Sequence, residues 1–180
     1  MEKKIVFKGA ATALITPMNE SGINYAQFGA LIEDQIKRGI NALVICGTTG
    51  EASTLNDKDH IDAIAYAVEK VGGRVPVIAG AGSNDSEHGL ALARESCRVG
   101  ADALLVVTPY YNKTSQKGLI KLYNDVADAS DKPIILYNVP SRSGVNIEPA
   151  TYAALAEHPM IQGIKEANGN LSKIVETMSY

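Results

Sequence analysis

No stretch of this chain approaches the ~18 consecutive apolar residues that a membrane-spanning helix needs. Its opening Met1-Glu-Lys-Lys4 leads straight into a strand-like segment and not into the apolar core of a signal peptide. No membrane contact is expected, and the expected location is cytoplasmic. Runs of five like charges are absent too, and the net charge over 180 residues is only -3. That leaves no basic patch for nucleic acid and no acidic tail, so the expected partners are small molecules. Cysteine is scarce: Cys46 in a strand pattern and Cys97 in a helix pattern are too few and wrongly spaced for a zinc site or a disulfide framework. Both read as small buried hydrophobes. The three histidines, His60, His88 and His158, fall in helix patterns away from strand ends. None joins a serine or cysteine in a recognisable motif, which argues against a hydrolase triad or a metal site.

What is present is a repeat. Short apolar runs begin near Ala11, Ala42, Val75, Ala103, Pro133 and Ile161, about 30 residues apart, with amphipathic helical patterns between them. Ala42-Leu-Val-Ile-Cys46 and Ala103-Leu-Leu-Val-Val107 are apolar at every position, as parallel strands covered on both faces must be. Helix starts are expected near Asn24, near Asn56 with Asp59 in the first turn, near Ser83 or Asn84, and at Pro149; Gly39, Gly72 and Gly100 read as stops. A doubly wound open sheet also alternates strand and helix, but it usually carries a glycine-rich phosphate loop after its first strand. Here that place is taken by Ala13-Leu-Ile-Thr-Pro-Met18. The preferred fold class is therefore α/β, a (β/α)8 TIM barrel of which about six βα units are present, since eight units need about 250 residues. Residues 1–180 are expected to form the N-terminal six units of the catalytic domain, with the last two units absent. The final helical pattern, Leu171 to Met178, ends without a glycine or a cap.

Barrel enzymes place their chemistry at the C-terminal ends of the strands, and polar residues gather there in this sequence. Ile161-Gln-Gly-Ile-Lys-Glu-Ala167 sets Lys165 at the end of an apolar run. By strand alternation, Lys165 should share a face with Ile161 and Gly163, while Gln162, Ile164 and Glu166 point away. Desolvation among apolar neighbours lowers a lysine pKa, and only the neutral amine attacks a ketone; a lysine closing a strand can also simply snorkel to water. Gly47-Thr-Thr-Gly-Glu51 is a tight strand-to-helix turn whose amides and hydroxyls can hold a carboxylate, or else a glycine turn with solvent-facing threonines. It is not a Walker loop. Glu51 reads as a helix-entry carboxylate. Tyr137 should share its strand face with Ile135 and Val139, so that its phenol stands near Lys165 and finds the Thr48 hydroxyl as a partner. Arg142 at the same mouth could clamp a carboxylate bidentately, or be an ordinary surface arginine.

Taken together, Gly47-Thr-Thr-Gly-Glu51, Tyr137-Asn-Val-Pro140 and Gly163-Ile-Lys-Glu166 resemble, in order and spacing, the pyruvate-dependent class I aldolase and lyase superfamily. Pro109-Tyr-Tyr-Asn112 and Ser141-Arg-Ser-Gly144 are more similar to its dihydrodipicolinate synthase branch than to its sialic acid lyases. The resemblance runs from about Gly9 to the end of the chain. It implies condensation of pyruvate with aspartate 4-semialdehyde to 4-hydroxy-tetrahydrodipicolinate, in lysine and diaminopimelate biosynthesis, through a covalent Schiff base on Lys165 and without metal or organic cofactor. Tyr137, Thr48 and Tyr111 would form the proton relay. Gly47, Thr48 and Thr49 would seat the pyruvate carboxylate, and Arg142 that of the semialdehyde. In the family Tyr111 typically reaches a neighbouring subunit's site, implying a homo-oligomer, a dimer pair within a tetramer. Alternatives are a lyase for sialic acid or keto-deoxy sugar acids, which Arg142 and Tyr110-Tyr111 argue against, and an inactive barrel fragment acting only as a folding or assembly module. Relative to the family, the last two strands and the C-terminal helices are lacking. Lysine-inhibited members carry a His and a Glu where this chain has Asp57 and His88, while Asn84, His60 and Tyr110 match, so weak or absent lysine feedback is implied.

Overall fold

Runs that are apolar at every position have no polar face to offer water, and they form strands buried on both sides. The computed structural model of the chain describes residues 5–180; the expectation for Met1–Lys4 lies outside the described residues. Strand β1 is Ala11–Ala13, and β2 (Met18–Asn19) pairs antiparallel with β3 (Gly22–Ile23) as a small separate hairpin. The strands β4 (Ala42–Ile45), β5 (Val77–Gly80), β6 (Ala103–Val107), β7 (Ile134–Asn138) and β8 (Ile161–Glu166) join β1 in one six-stranded sheet, ordered β1-β4-β5-β6-β7-β8. Every neighbouring pair in it is parallel. All four residues of β4 and of β5 are buried.

The sheet is curled. Its two outermost strands, β1 and β8, line one cavity of about 500 Å³ together with Val44, Ile78, Leu105 and Ile135 of the strands between them. In a flat sheet, strands five places apart would be separated by about 24 Å. The concave face therefore carries an inner cluster that includes Val44, Ile78, Leu105, Tyr137 and Val139, against which Val6, Phe7 and Ile135 pack. Alternation sends Leu43, Ile45, Ala79, Leu104, Val106 and Leu136 to the convex face, where they join the helices in a larger cluster. The whole is a half barrel of the expected α/β class.

Helices α1 (Tyr25–Lys37), α2 (Asp57–Val71), α3 (Ser86–Arg98), α4 (Gln116–Asp128), α6 (Pro149–Ala156) and α7 (Leu171–Thr177) run on the outside, while the short α5 (Pro140–Ser143) follows β7 at the cavity rim. Asn24 and Asn56 cap α1 and α2 as expected, accepting from Gln27 N and Asp59 N, and Gly72 closes α2 in the left-handed region at φ 57°. The cap of α3 is Asp85, which accepts from Glu87 N and His88 N, rather than Ser83 or Asn84. Ser83 is otherwise engaged: its hydroxyl accepts from Asp85 N at 3.1 Å and lies 3.0 Å from His88 Nδ1. The four-residue α5 is too short for the sequence pattern to announce it; Pro140 at its first position and Gly144 in the left-handed region at φ 72° delimit it.

One facing differs from expectation for a local reason. Ile161 does not share a face with Lys165; it packs in the outer cluster with Leu136 and Leu155. Between Ile134 and Ile135 the pairing shifts by one residue, with Ile134 opposite Ile161 but Ile135 opposite Gly163. This bulge leaves Gln162 without a partner on β7 and reverses the parity of the rest of the strand. Gln162 and Ile164 border the same cavity as Lys165.

The concave face tolerates added bulk unevenly. A Cβ at Gly80 would collide with the carbonyl of Cys46, which is backbone and cannot swing aside, whereas one at Gly163 would meet Ile135 Cγ1 at 3.5 Å, an ordinary contact. Urea denaturation should show Gly80→Ala costing about 1–3 kcal/mol and Gly163→Ala within about 0.5 kcal/mol of the parent.

Candidate active site

The carboxyl ends of β4, β6, β7 and β8 converge on one rim. After β4 the chain passes through Cys46, at φ 52°, into a single 3₁₀ turn, Thr48–Gly50, closed by Gly50 N donating to Gly47 O at 3.0 Å. The turn is pinned from below: the buried Thr16 hydroxyl donates to Gly50 O at 2.8 Å, and a Cβ on Gly50 would come within 3.1 Å of both Leu14 O and Thr16 Oγ1. Glu51 comes next in the left-handed region at φ 58°, exposed, and makes no side-chain cap bond to the second 3₁₀ turn, Ala52–Thr54. It is therefore not the helix-entry carboxylate that its position suggests, because the chain makes two short turns before α2.

Gly47, Thr48, Tyr110, Tyr137, Arg142 and Ser143 border a cavity of about 430 Å³. Lys165 borders the neighbouring concave cavity, which shares Leu105 as a wall. Tyr137 on the wall of the first and Lys165 on the wall of the second stand opposite each other in the β7–β8 register, with Lys165 Nζ 4.2 Å from the tyrosine ring centroid. Tyr137, Gly47, Thr48 and Arg142 are thus gathered around one space, with the lysine against its tyrosine wall. Among the described residues, no hydrogen bond joins the Tyr137 phenol to the Thr48 hydroxyl. Thr49 is exposed on the same turn, outside that lining. Tyr111 is 90% exposed with a left-handed backbone, φ 72°, and projects from the rim.

Burial, with no opposing charge among its causes, holds the Lys165 amine below the ordinary lysine range. Burial likewise pushes the Cys46 thiol up to about 12, so this residue is a protonated hydrophobe and not a nucleophile. His60 is not remote from strand ends as its helix pattern suggests. Nearly fully buried, it donates from Nε2 to Gly80 O, at the end of β5, over 2.7 Å. Burial lowers its pKa, leaving a neutral ring as a structural tie beneath the site. His88 is also tied on both nitrogens, to Ser83 Oγ at 3.0 Å and to Asp57 Oδ1 at 2.9 Å. Among the described residues, no group of three or more His, Cys, Asp or Glu is placed to hold a metal ion, and no helix is long and apolar enough to cross a membrane.

Sequence reasoning missed a polar network on the convex side of β7 and β8. The Asn138 amide nitrogen lies 2.9 and 3.0 Å from the two Glu166 carboxylate oxygens, and the Tyr152 hydroxyl donates to Glu166 Oε2 at 2.7 Å. Asn168 N adds a bond to Oε1 at 2.9 Å, and the Asn138 amide oxygen accepts from Ile147 N at 3.1 Å. The usable signal was parity, since Asn138 and Glu166 each come directly after an inward-facing residue.

A lysine whose pKa is lower folded than unfolded binds fewer protons in the native state between the two values, so stability rises with pH across that window. Below it both states are protonated, and the folded protein bears the full cost of the buried charge. Lys165→Met should therefore raise the urea midpoint at pH 7, and the gain should shrink as pH approaches 10.

The family model for the dihydrodipicolinate synthetase family matches residues 6–180. The chain is 55% identical over 168 residues to the 4-hydroxy-tetrahydrodipicolinate synthase of Acetivibrio thermocellus, covering 93% of this chain and 58% of that one. With the synthase of Thermoanaerobacter sp. (strain X514) it shares 51% over 172 residues, 95% of this chain and again 58% of the relative. Among solved structures, a dihydrodipicolinate synthase from Acinetobacter baumannii superposes with a TM-score of 0.94 at 40% identity, covering 97% of this chain and 60% of that one. The chain thus spans less than two thirds of the length of these relatives. Because the family pattern runs through every strand of the curled sheet, and the relative's backbone takes the same course, the chain belongs to the dihydrodipicolinate synthetase family.

Proposed function

We propose that this chain carries the Schiff-base chemistry of a synthase that condenses pyruvate with aspartate 4-semialdehyde. The observation that carries the reading is the partly desolvated amine of Lys165 against the Tyr137 ring, beside a turn that presents Thr48. The neutral amine attacks the keto carbon of pyruvate and water leaves, giving an imine; loss of a methyl proton gives the enamine. The enamine carbon attacks the aldehyde, and the amino group of the second substrate then attacks the imine carbon and releases Lys165. Gly47 and Thr48 on the cavity wall, with Thr49 next on the same turn, offer hydroxyls and amides to the pyruvate carboxylate, and Arg142, on the rim of the same cavity, offers a guanidinium to the other carboxylate. Tyr137, Thr48 and Tyr111 shuttle the protons, the phenol and hydroxyl being brought into line once substrate enters, as catalytic hydrogen bonds often are. The Acinetobacter baumannii relative is described complexed with pyruvate, which supports the assignment of the first substrate.

The projecting, 90% exposed Tyr111 supports a homo-oligomer in which this side chain enters a neighbouring subunit's site. A dimer pair within a tetramer is the arrangement proposed. No metal or organic cofactor takes part in the proposed route.

Incubation with pyruvate and sodium borohydride should add one reduced pyruvyl group to the peptide containing Lys165, as read by mass spectrometry. Lys165→Arg should abolish it and Tyr137→Phe should slow it roughly a hundredfold, the low end of general acid-base catalysis. An unlabelled parent chain, alongside a labelled longer relative, would refute the reading for this chain and favour an inactive barrel module.

Feedback by free lysine is proposed to be weak. His88 is bound on both ring nitrogens by Ser83 and Asp57, and Asp57 is correspondingly committed. Millimolar lysine should leave the trapping rate within about twofold of its value without lysine, a change of under about 0.5 kcal/mol; a larger loss would refute this.

A further inference from the structure

We propose that Glu166, which points away from the reacting side, is a positioning residue for Lys165, locking the end of β8 to β7 so that the amine stays against Tyr137. This rests on the reading of Lys165 as the Schiff-base amine. The β7–β8 register shifts once, at the bulge opposite Ile134 and Ile135, and a further slip of one residue would carry Lys165 to the convex face.

The clamp acts one residue beyond the critical pair. Tyr137 faces Lys165, and the next pair is Asn138 with Glu166. Asn138 is fully buried and Tyr152 almost so, and both reach the one carboxylate: Asn138 Nδ2 at 2.9 and 3.0 Å, Tyr152 OH at 2.7 Å. Tyr152 comes from α6, so the carboxylate ties β8 to a helix as well as to a strand. Ala167 N donates to Asn138 O at 2.9 Å and extends the pairing past the clamp. Burial first, then the bond to Glu166, drives the Tyr152 phenol well above its ordinary range, so it remains a donor. None of these groups borders either cavity. A buried polar network satisfied so fully specifies one arrangement, and here the arrangement is the one that aims Lys165.

The titratable surroundings of Lys165 are few. Tyr137 faces it from β7; the residues of β1, β4, β5 and β6 and of the segment 5–7 that border its cavity are all apolar. On the outer side α6 brings Tyr152 to Glu166, and on α7 Lys173 is paired with Glu148 and Glu176 at 3.8 and 3.3 Å. If the clamp releases β8, the amine gains water and its pKa returns toward that of an ordinary lysine.

The test is competitive acetylation with trace acetic anhydride from pH 7 to 11, read at the Lys165 peptide by mass spectrometry, with exposed Lys117 as the internal control. In Glu166→Ala the Lys165 midpoint should move up by about one unit, a tenfold loss of neutral amine at pH 7.5, while Lys117 does not move. Glu166→Gln, which keeps an acceptor for Tyr152, should restore part of the shift. Tyr152→Phe removes one hydrogen bond without emptying the core; it should shift Lys165 the same way by less, and it decides the matter if Glu166→Ala does not fold. An unchanged Lys165 midpoint in the folded variants would overturn the proposal. Should the parent chain not trap pyruvate while these midpoints still move, the Schiff-base reading fails and the clamp stands.

Discussion

Tyr137 and Lys165 meet because β7 and β8 run parallel with these two residues opposite each other on the concave face. Nearly everything else in the site can be traced to that pairing. Parallel register is set along the whole strand, so the position of one amine depends on how Ile161 through Ala167 are seated. The bulge near Ile135 makes the dependence plain: it places Gly163, without a side chain, opposite Ile135 and leaves the next inward position to the lysine. Were the ladder regular from Ile161 onward, the inward set would have the other parity.

The same curl that builds the concave face also gathers apolar side chains around it. Alanines, valines, isoleucines and leucines from five strands surround the Lys165 cavity, and Gln162 is the polar exception, with its Oε1 buried and unpartnered among the described residues. A charged amine is disfavoured there, which lowers its pKa and leaves more of it able to attack a carbonyl. The Tyr137 ring pulls the other way, since a cation over an aromatic face is stabilised by up to about 2 kcal/mol when desolvated. Burial is the cause that lowers the amine's pKa, and the ring, 4.2 Å from Nζ, also restrains the side chain.

Much of this could be read from the sequence. Strand positions are legible as apolar runs, because a strand buried on both faces tolerates no polar residue, and the caps Asn24 and Asn56 with the Gly72 stop are legible in local backbone chemistry. The misses have a common cause: they depend on contacts between distant segments. Simple alternation puts Ile161 on the wrong face because no local signal marks a bulge that exists only relative to β7. His60 looks like a mid-helix residue, yet α2 lies so that its ring reaches the Gly80 carbonyl. Asp85 displaces Ser83 as a cap because His88, five residues on, engages the serine hydroxyl. As for the candidate site, its members are legible as strand-end polar residues, but the placing of Thr48 and Lys165 on the walls of two different cavities is not.

Alternation along a strand gives two consecutive residues opposite duties, and this chain uses it twice at the same height. Tyr137 and Lys165 face inward, toward the cavities, while their immediate successors Asn138 and Glu166 face outward and bind each other. The proposed clamp thus ties the inner side to hydrogen bonds made on the outer side, one residue away in sequence and a sheet's thickness away in space. A carboxylate inside, beside Lys165, would favour the charged amine and raise its pKa. Outside, satisfied by an amide and a phenol, the same carboxylate can fix the strand while the inner cavity stays apolar. Keeping the carboxylate on the outer face and the lysine on the inner one lets a single strand carry both groups, in the proposed arrangement, without offsetting the desolvation of the amine.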